Sequence, residues 1–261
     1  MDDPFAEPSD TRQAILGAAF RALCEHGYAN VTIQRIGDEF DKSPSLVYHH
    51  YDGKDELLID LLEYLLDQFE ASIADGSAES SEGDAPSKGD EPSECRDGTA
   101  GERTEIAPEA AFDRSARDQL DGYLTAAVDP DSLNDEYAPD AQFVTVMTEL
   151  RAQAASDAAY RDHFDRSDRV FGAYLERLVR EAATEAQRDD ESTETAGPGG
   201  EAVDPGEVAA TLQTFATGGM FRWATTGDRG WTTPSRTGID RYLETVLPRV
   251  DPDAAESGGG N

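Results

Sequence analysis

Pro44, Ser45, Tyr48 and His49 fall near one side of a short helix, and their hydroxyl, imidazole and apolar ring groups suit base edges and methyl groups in a DNA groove. Thr32, Gln34, Ser43 and Lys54 lie around them and carry groups suited to phosphate oxygens. Arg35 has two readings: a phosphate contact, or a surface ion pair with Glu39 at the i, i+4 spacing. Tyrosine, serine and proline lack the bidentate code of arginine or asparagine, so this set does not specify which bases are read.

The elements that must position these groups are legible in residues 31–58, VTIQRIGDEFDKSPSLVYHHYDGKDELL. Thr32 offers an oxygen to the orphan amides of a new helix, and Ile33, Ile36 and Phe40 follow on one face. Ser43 is a second N-cap, with Pro44 at the first helical position, where a missing N–H costs nothing. Leu46 and Val47 then point toward the preceding helix. Asp52 and Gly53 break the second short helix, and Asp55 and Glu56 occupy the first turn of a third, at the positive end of its dipole. Upstream, Asp10 and Gln13 form a capping-box pattern, and Ile15, Ala18, Ala19, Ala22 and Leu23 form an apolar stripe that stops at Gly27. Three helices sharing one small core, with a tight turn between the last two, make a helix-turn-helix.

The run AILGAAFRALCEHGYANVTIQRIGDEFDKSPSLVYHHYDGKDELL resembles the amino-terminal domain of TetR-type transcriptional regulators over roughly residues 10–73. The resemblance rests on HGY after the first helix, Thr32 with Ile33 and Ile36, Ser43, the Val47, Tyr48, His49 run, Tyr51 and KDELL. Asp41 stands where the family commonly has a turn glycine, and Lys42 where it has a small apolar residue; Asp tolerates the left-handed conformation better than most residues. The resemblance implies an all-α fold, a three-helix DNA-binding domain followed by a helical ligand-binding and dimerisation domain. It further implies a repressor that leaves its pseudo-palindromic operator when a small-molecule effector moves the fourth helix, residues 53–74.

Charge pulls the other way. The chain has 22 Lys plus Arg against 55 Asp plus Glu, a net charge of -33, and residues 1–73 are themselves acidic. DNA binders are ordinarily basic, because phosphates neutralised by the protein release counterions. Either the protein binds no nucleic acid, or it works in a cytoplasm salty enough to screen the repulsion. The scarcity of lysine and the spread of acid over every segment favour the second, and resemble proteins of salt-accumulating halophiles.

A length of 261 residues suits two domains. The boundaries read as an acidic tail at 1–9, the reader at 10–52, the connecting helix at 53–74 and a flexible acidic insertion at 75–108. A helical domain at 109–250 follows, with a mobile acidic loop at 185–204, and then a disordered tail at 251–261. The acidic start and the Asp60 and Glu63 interruptions of LLIDLLEYLL argue against a signal peptide or membrane span, so a cytoplasmic protein is expected. Cys24 and Cys95 do not make a disulfide framework.

Helical periodicity runs over 110–128, 139–155, 157–186, 205–226 and 236–250. Val170, Tyr174, Leu175, Leu178, Val179 and Ala182 form one apolar side, and Leu212, Phe215, Ala216, Gly219 and Phe221 another, with Gly218 and Gly219 allowing close backbone approach. Periodicity allows these to complete the subunit's own core or to pair with a second copy; the resemblance implies a four-helix homodimer interface. Phe112, Tyr123, Phe143, Met147, Tyr160, Phe164, Phe171, Met220 and Trp223 are effector-pocket candidates by the same resemblance, and core packing explains them equally well. Glu149 and Arg151 either fix a polar effector or make a local ion pair.

Catalysis finds no footing. The four histidines, His26, His49, His50 and His163, lack metal-ligand spacing, and no nucleophile elbow, dinucleotide fingerprint or phosphate loop occurs, so neither an enzyme nor a cofactor is expected. The alternative to a DNA-binding regulator is a helical ligand- or partner-binding module that has lost DNA recognition. Retardation of operator DNA at molar KCl separates the two, and salt tests the halophile reading: operator affinity titrated with KCl should fall with a log–log slope much shallower than the roughly -10 of a basic repressor. A steep slope would remove the halophile reading.

Overall fold

The computed structural model describes Phe5 and residues 8–40, 45–79, 114–133, 141–191 and 204–248. Asp41, Lys42, Ser43, Pro44 and Phe112 lie outside the described residues, as do most of 75–108, part of 185–204 and all of 251–261. In chain order the helices are α1 (Thr11–His26), α2 (Ile33–Asp38), α3 (Ser45–His50), α4 (Lys54–Glu79) and α5 (Ala116–Val128). A single 3-10 turn, Pro130–Ser132, leads on to α6 (Ala141–Gln153), α7 (Ala158–Glu191), α8 (Pro205–Thr225) and α9 (Thr232–Val246). Among the described residues there is no strand, and the fold is all-α as expected.

Local chemistry sets the helix ends. Asp10 accepts from the Gln13 amide at 2.8 Å, and the Gln13 side chain returns the bond to the Ser9 amide, also at 2.8 Å. Gly27 ends α1 at φ 70°, a conformation that carries little penalty only without a Cβ, and its N–H bonds to the Leu23 carbonyl. Ser115 and Asp204 cap α5 and α8 from their side chains. The last helix begins at Thr232 rather than near Arg236, because Pro234 falls in its first turn, where no intrahelical N–H is lost. Helices α4 and α7 run on to Glu79 and Glu191, into stretches expected to be loop.

Two apolar cores organise these helices. The first gathers Ile15, Leu23, Ile36, Val47, Leu57 and Leu61 from α1 to α4, and also takes Val146 and Leu150 from α6 and Tyr160 and Phe164 from α7. The second joins α5, the later half of α7, α8 and α9 around Leu124, Leu178, Leu212, Trp223 and Leu243. The boundary between cores therefore cuts across α6 and α7 rather than falling in the connecting helix.

This arrangement places most of the expected dimer surface within the chain's own core. Leu175, Leu178, Val179, Ala182, Leu212, Ala216 and Gly219 are buried inside one chain, where the apolar stripes of α7 and α8 face each other and α5. Val170 and Tyr174 are half-buried, and Phe215 and Phe221 remain exposed, the Phe215 ring edge-on to Tyr242 at 5.6 Å. Helical periodicity reports that a face is covered, not which molecule covers it. Gly219 permits the closest approach: a Cβ there would meet the Ala127 carbonyl oxygen and a Val128 methyl at 2.9 Å each. Backbone cannot yield as a side chain does, so Gly219→Ala should lower unfolding free energy by about 1–3 kcal/mol in a denaturant titration.

Candidate nucleic-acid interface

Helix α3 is held by its inner side. Val47 is completely buried and Leu46 packs against the first core, whereas Ser45, Tyr48, His49 and His50 are exposed, Tyr48 at 62%. An aromatic ring left this far in solvent on an anchored helix is free to meet another molecule. In α2, Thr32 caps by accepting from the Arg35 amide at 3.2 Å, and Thr32, Gln34 and Arg35 are all exposed. Arg35 does not make the expected pair with Glu39: its guanidinium donates to the Asn30 carbonyl at 2.6 Å.

Lys54, expected to face phosphate, is turned inward. Its ammonium donates to the Tyr28 carbonyl at 3.0 Å and lies 4.1 Å from the Tyr28 ring centroid. Helix four begins where the reader needs it. The Asp52 amide donates to Glu56 at 2.8 Å, and Tyr51 and Arg12 both donate to Asp60. Burial works to raise the Asp60 carboxyl, but the hydrogen bonds from Arg12 and Tyr51 and the guanidinium charge outweigh it and hold it below its ordinary value.

Together α2 and α3 present hydroxyls, an amide, a phenol and imidazoles with one arginine, a surface suited to hydrogen bonding in a groove more than to bulk neutralisation of phosphate. The geometry now stands beside known proteins. Residues 15–61 match the family model described as bacterial regulatory proteins, tetR family. Its amino-terminal domain is of the TetR type. Over 55 residues, 21% of the chain, it is 36% identical to the HTH-type transcriptional repressor AcnR of Corynebacterium glutamicum, and that stretch covers 29% of AcnR. It is 34% identical over 55 residues to the HTH-type transcriptional regulator BetI of Brucella anthropi, covering 28% of that protein. The chain thus matches less than a third of the length of these relatives. Among solved structures, a TetR transcription regulator from Haloarcula marismortui is 27% identical, with 92% of this chain and 99% of that one covered at a TM-score of 0.57.

The expected effector candidates are divided between the two cores of the chain. Phe143, Met147, Tyr160 and Phe164 pack with the reader, and Trp223 and Met220 with the second core. Phe171 stacks on Phe69 at 4.5 Å, with Tyr174 edge-on to Phe69 and Tyr123 tilted against Phe171. Arg151 is paired through both nitrogens with Asp168, at 2.9 and 2.6 Å, and stacks on Phe164. An open groove of about 500 Å³ does lie between α4 and α7, over Ile73, Ala74, Val170 and Tyr174, with Arg169 and Arg177 at its rim. Of the eight candidates among the described residues, none lines it. Among the described residues no group of acids, histidines and cysteines is placed to hold a metal, and no helix is long and apolar enough to cross a membrane.

Sequence reasoning did not single out His163 as structural. It is 5% exposed, its Nδ1 has no hydrogen-bond partner among the described residues, and it lies near the Arg166 to Asp67 ion pair that ties α7 to α4. Burial first, and the Arg166 charge second, push it down from 6.5 to about 4, against the pull of Asp67. The folded chain therefore binds this proton less readily than the unfolded chain. Its contribution to stability is complete above pH 6.5 and is lost as pH falls toward about 4. Urea midpoints across this window should fall more in the wild type than in His163→Phe.

Proposed function

We propose that the chain is a sequence-specific DNA-binding transcriptional regulator, acting as a repressor in a salt-rich cytoplasm. The observation that carries this is the surface of α3: Tyr48, His49 and Ser45 exposed on a helix anchored by fully buried Val47, within a domain of the TetR type. Tyr48, His49 and Ser45 meet base edges, with Pro44 beside them, while Thr32, Gln34, Ser43 and, once drawn off Asn30, Arg35 position the backbone. Lys54 steadies the reader instead of contacting phosphate. The excess of 55 acidic over 22 basic residues supports a working environment in which long-range repulsion from DNA is screened.

The reader works as a pair. One short recognition helix covers few bases, and two-fold partners placed a helical turn of DNA apart multiply the contact. The homodimer forms through the outer sides of α8 and α9, not the inner stripes. On α8, Ala210, Thr214, Gly218 and Phe221 recur at spacings of four and three and are exposed, Phe221 at 59%. Small residues on a helix beside exposed phenylalanines suit close packing against the same helices of a second copy.

Relief by a small molecule completes the proposal. Helix α4 runs from the reader to the groove it shares with α7, so a ligand seated over Tyr174 bears directly on α4. A coupling of about 1–3 kcal/mol lowers operator occupancy several-fold or more. Gel shifts with the gene's own upstream DNA at about 1 M KCl, paired with sedimentation, test the reading. Tyr48→Ala should remain a dimer and lose at least about tenfold in affinity, the worth of a base-contacting side chain. Phe221→Glu should sediment as a monomer and retard nothing. A wild-type chain that retards no duplex in any salt would instead favour a helical module without DNA recognition.

A further inference from the structure

A small polar cluster at the start of α4 joins the reader to α6 and α7, helices remote from it in sequence. Its centre is Tyr28, which follows Gly27 in the turn between α1 and α2. The Tyr28 amide donates to Glu149 Oε2 of α6 at 2.6 Å. Its carbonyl accepts from Lys54 Nζ at 3.0 Å, and its hydroxyl donates to Asp55 Oδ1 at 2.9 Å, both partners in the first turn of α4. Tyr160 of α7 is fully buried, and its hydroxyl donates to that same Asp55 oxygen at 3.1 Å. The two tyrosine rings meet edge to face, 6.3 Å apart at 89°. Gln142 of α6 adds a bond to the Cys24 carbonyl at the end of α1.

The chemistry of the cluster is directional. Both phenols are held protonated: Tyr28 is pushed up to about 12, and Tyr160 further, in each case by burial first and by the Asp55 carboxylate as well. They act as donors, and Asp55 as the acceptor they share. Glu149 is half-buried and accepts from the Tyr28 amide, a charge-assisted bond to backbone. Gly27 belongs to the arrangement, since a Cβ at its φ of 70° would press on Glu149 Oε2 at 3.1 Å.

We propose that Glu149 and Tyr160 are positioning residues that fix the orientation of the reader, so that α6 and α7 set its angle directly and α4 is not the sole lever. Two acceptor carboxylates and one buried phenol bind the α1–α2 turn and the start of α4 to two helices that reach into the second core's neighbourhood. A displacement of α6 or α7 therefore tilts the reader even where α4 stays straight. This rests on the reading of the chain as a DNA-binding regulator only for its consequence in affinity, not for the geometry itself.

The test measures orientation within one full-length chain. Spin labels are placed at Gln34→Cys and Thr184→Cys, both exposed positions, with Cys24→Ser and Cys95→Ser, and their separation is read by pulsed electron resonance. Tyr160→Phe, which removes only the hydroxyl, and Glu149→Ala should broaden or shift the distance distribution, while Glu149→Gln, which keeps an acceptor oxygen, should restore it. Operator affinity should fall about five- to tenfold for Tyr160→Phe and Glu149→Ala, the loss of one buried hydrogen bond. Thermal melting of the same samples separates orientation from stability: a purely structural role lowers the melting temperature and leaves the folded distribution as narrow as before. Unchanged distances in both variants overturn the proposal. If the wild type binds no DNA, the functional reading fails, and the distances still decide the positioning role.

Discussion

Val146, Leu150, Tyr160 and Phe164 are buried in the same apolar core as Ile15, Leu23, Ile36 and Val47, and most of the architecture depends on that shared burial. A three-helix head of this size has little apolar surface of its own, and small domains bury a smaller fraction of what their chains expose. By taking in α6 and the start of α7, the head gains a core that extends beyond its own helices. The consequence is mechanical. Reader and second domain are coupled through packed side chains, which have few arrangements available, instead of through a single flexible joint.

Polar contacts are arranged on that apolar frame. Arg12 and Tyr51 meet at Asp60, Arg166 reaches Asp67 and Glu70, and Tyr28 and Tyr160 converge on Asp55. In each case an acidic residue of α4 is the acceptor. With acids far outnumbering bases, Arg12 and Arg166 serve helix contacts here, and phenols supply donors that carry no charge. Exposed ion pairs contribute little singly, and those here gain weight where burial limits screening. The exposed side of α2 and α3 is correspondingly poor in cations, with Arg35 beside Thr32, Gln34, Ser45, Tyr48 and His49.

What could be read before folding was local. Asp10, Thr32 and Gly27 mark helix ends because a cap acts on amides and carbonyls within four residues of itself, and the structure has those bonds. The buried side of α3 was legible for the same reason, since Val47 and Leu46 follow from period and cap. The fate of Lys54 was not, because a flexible side chain at a helix start chooses among partners that only the packed turn at Tyr28 supplies. Nor was Glu149 separable from other surface acids, as its partner is 121 residues away.

The amino-acid sequence by itself determined the helical order, the TetR-type reader and the acidity, all of which depend on residue type and short-range spacing. The tertiary structure alone decided which molecule covers each apolar stripe. Leu178 and Leu212 have the same periodicity whether they face a second chain or their own, and only the placement of α5, α7 and α8 puts them inside. It also decided that the Tyr160 hydroxyl meets Asp55, because a hydroxyl finds its acceptor only after helices distant in the chain are packed side by side.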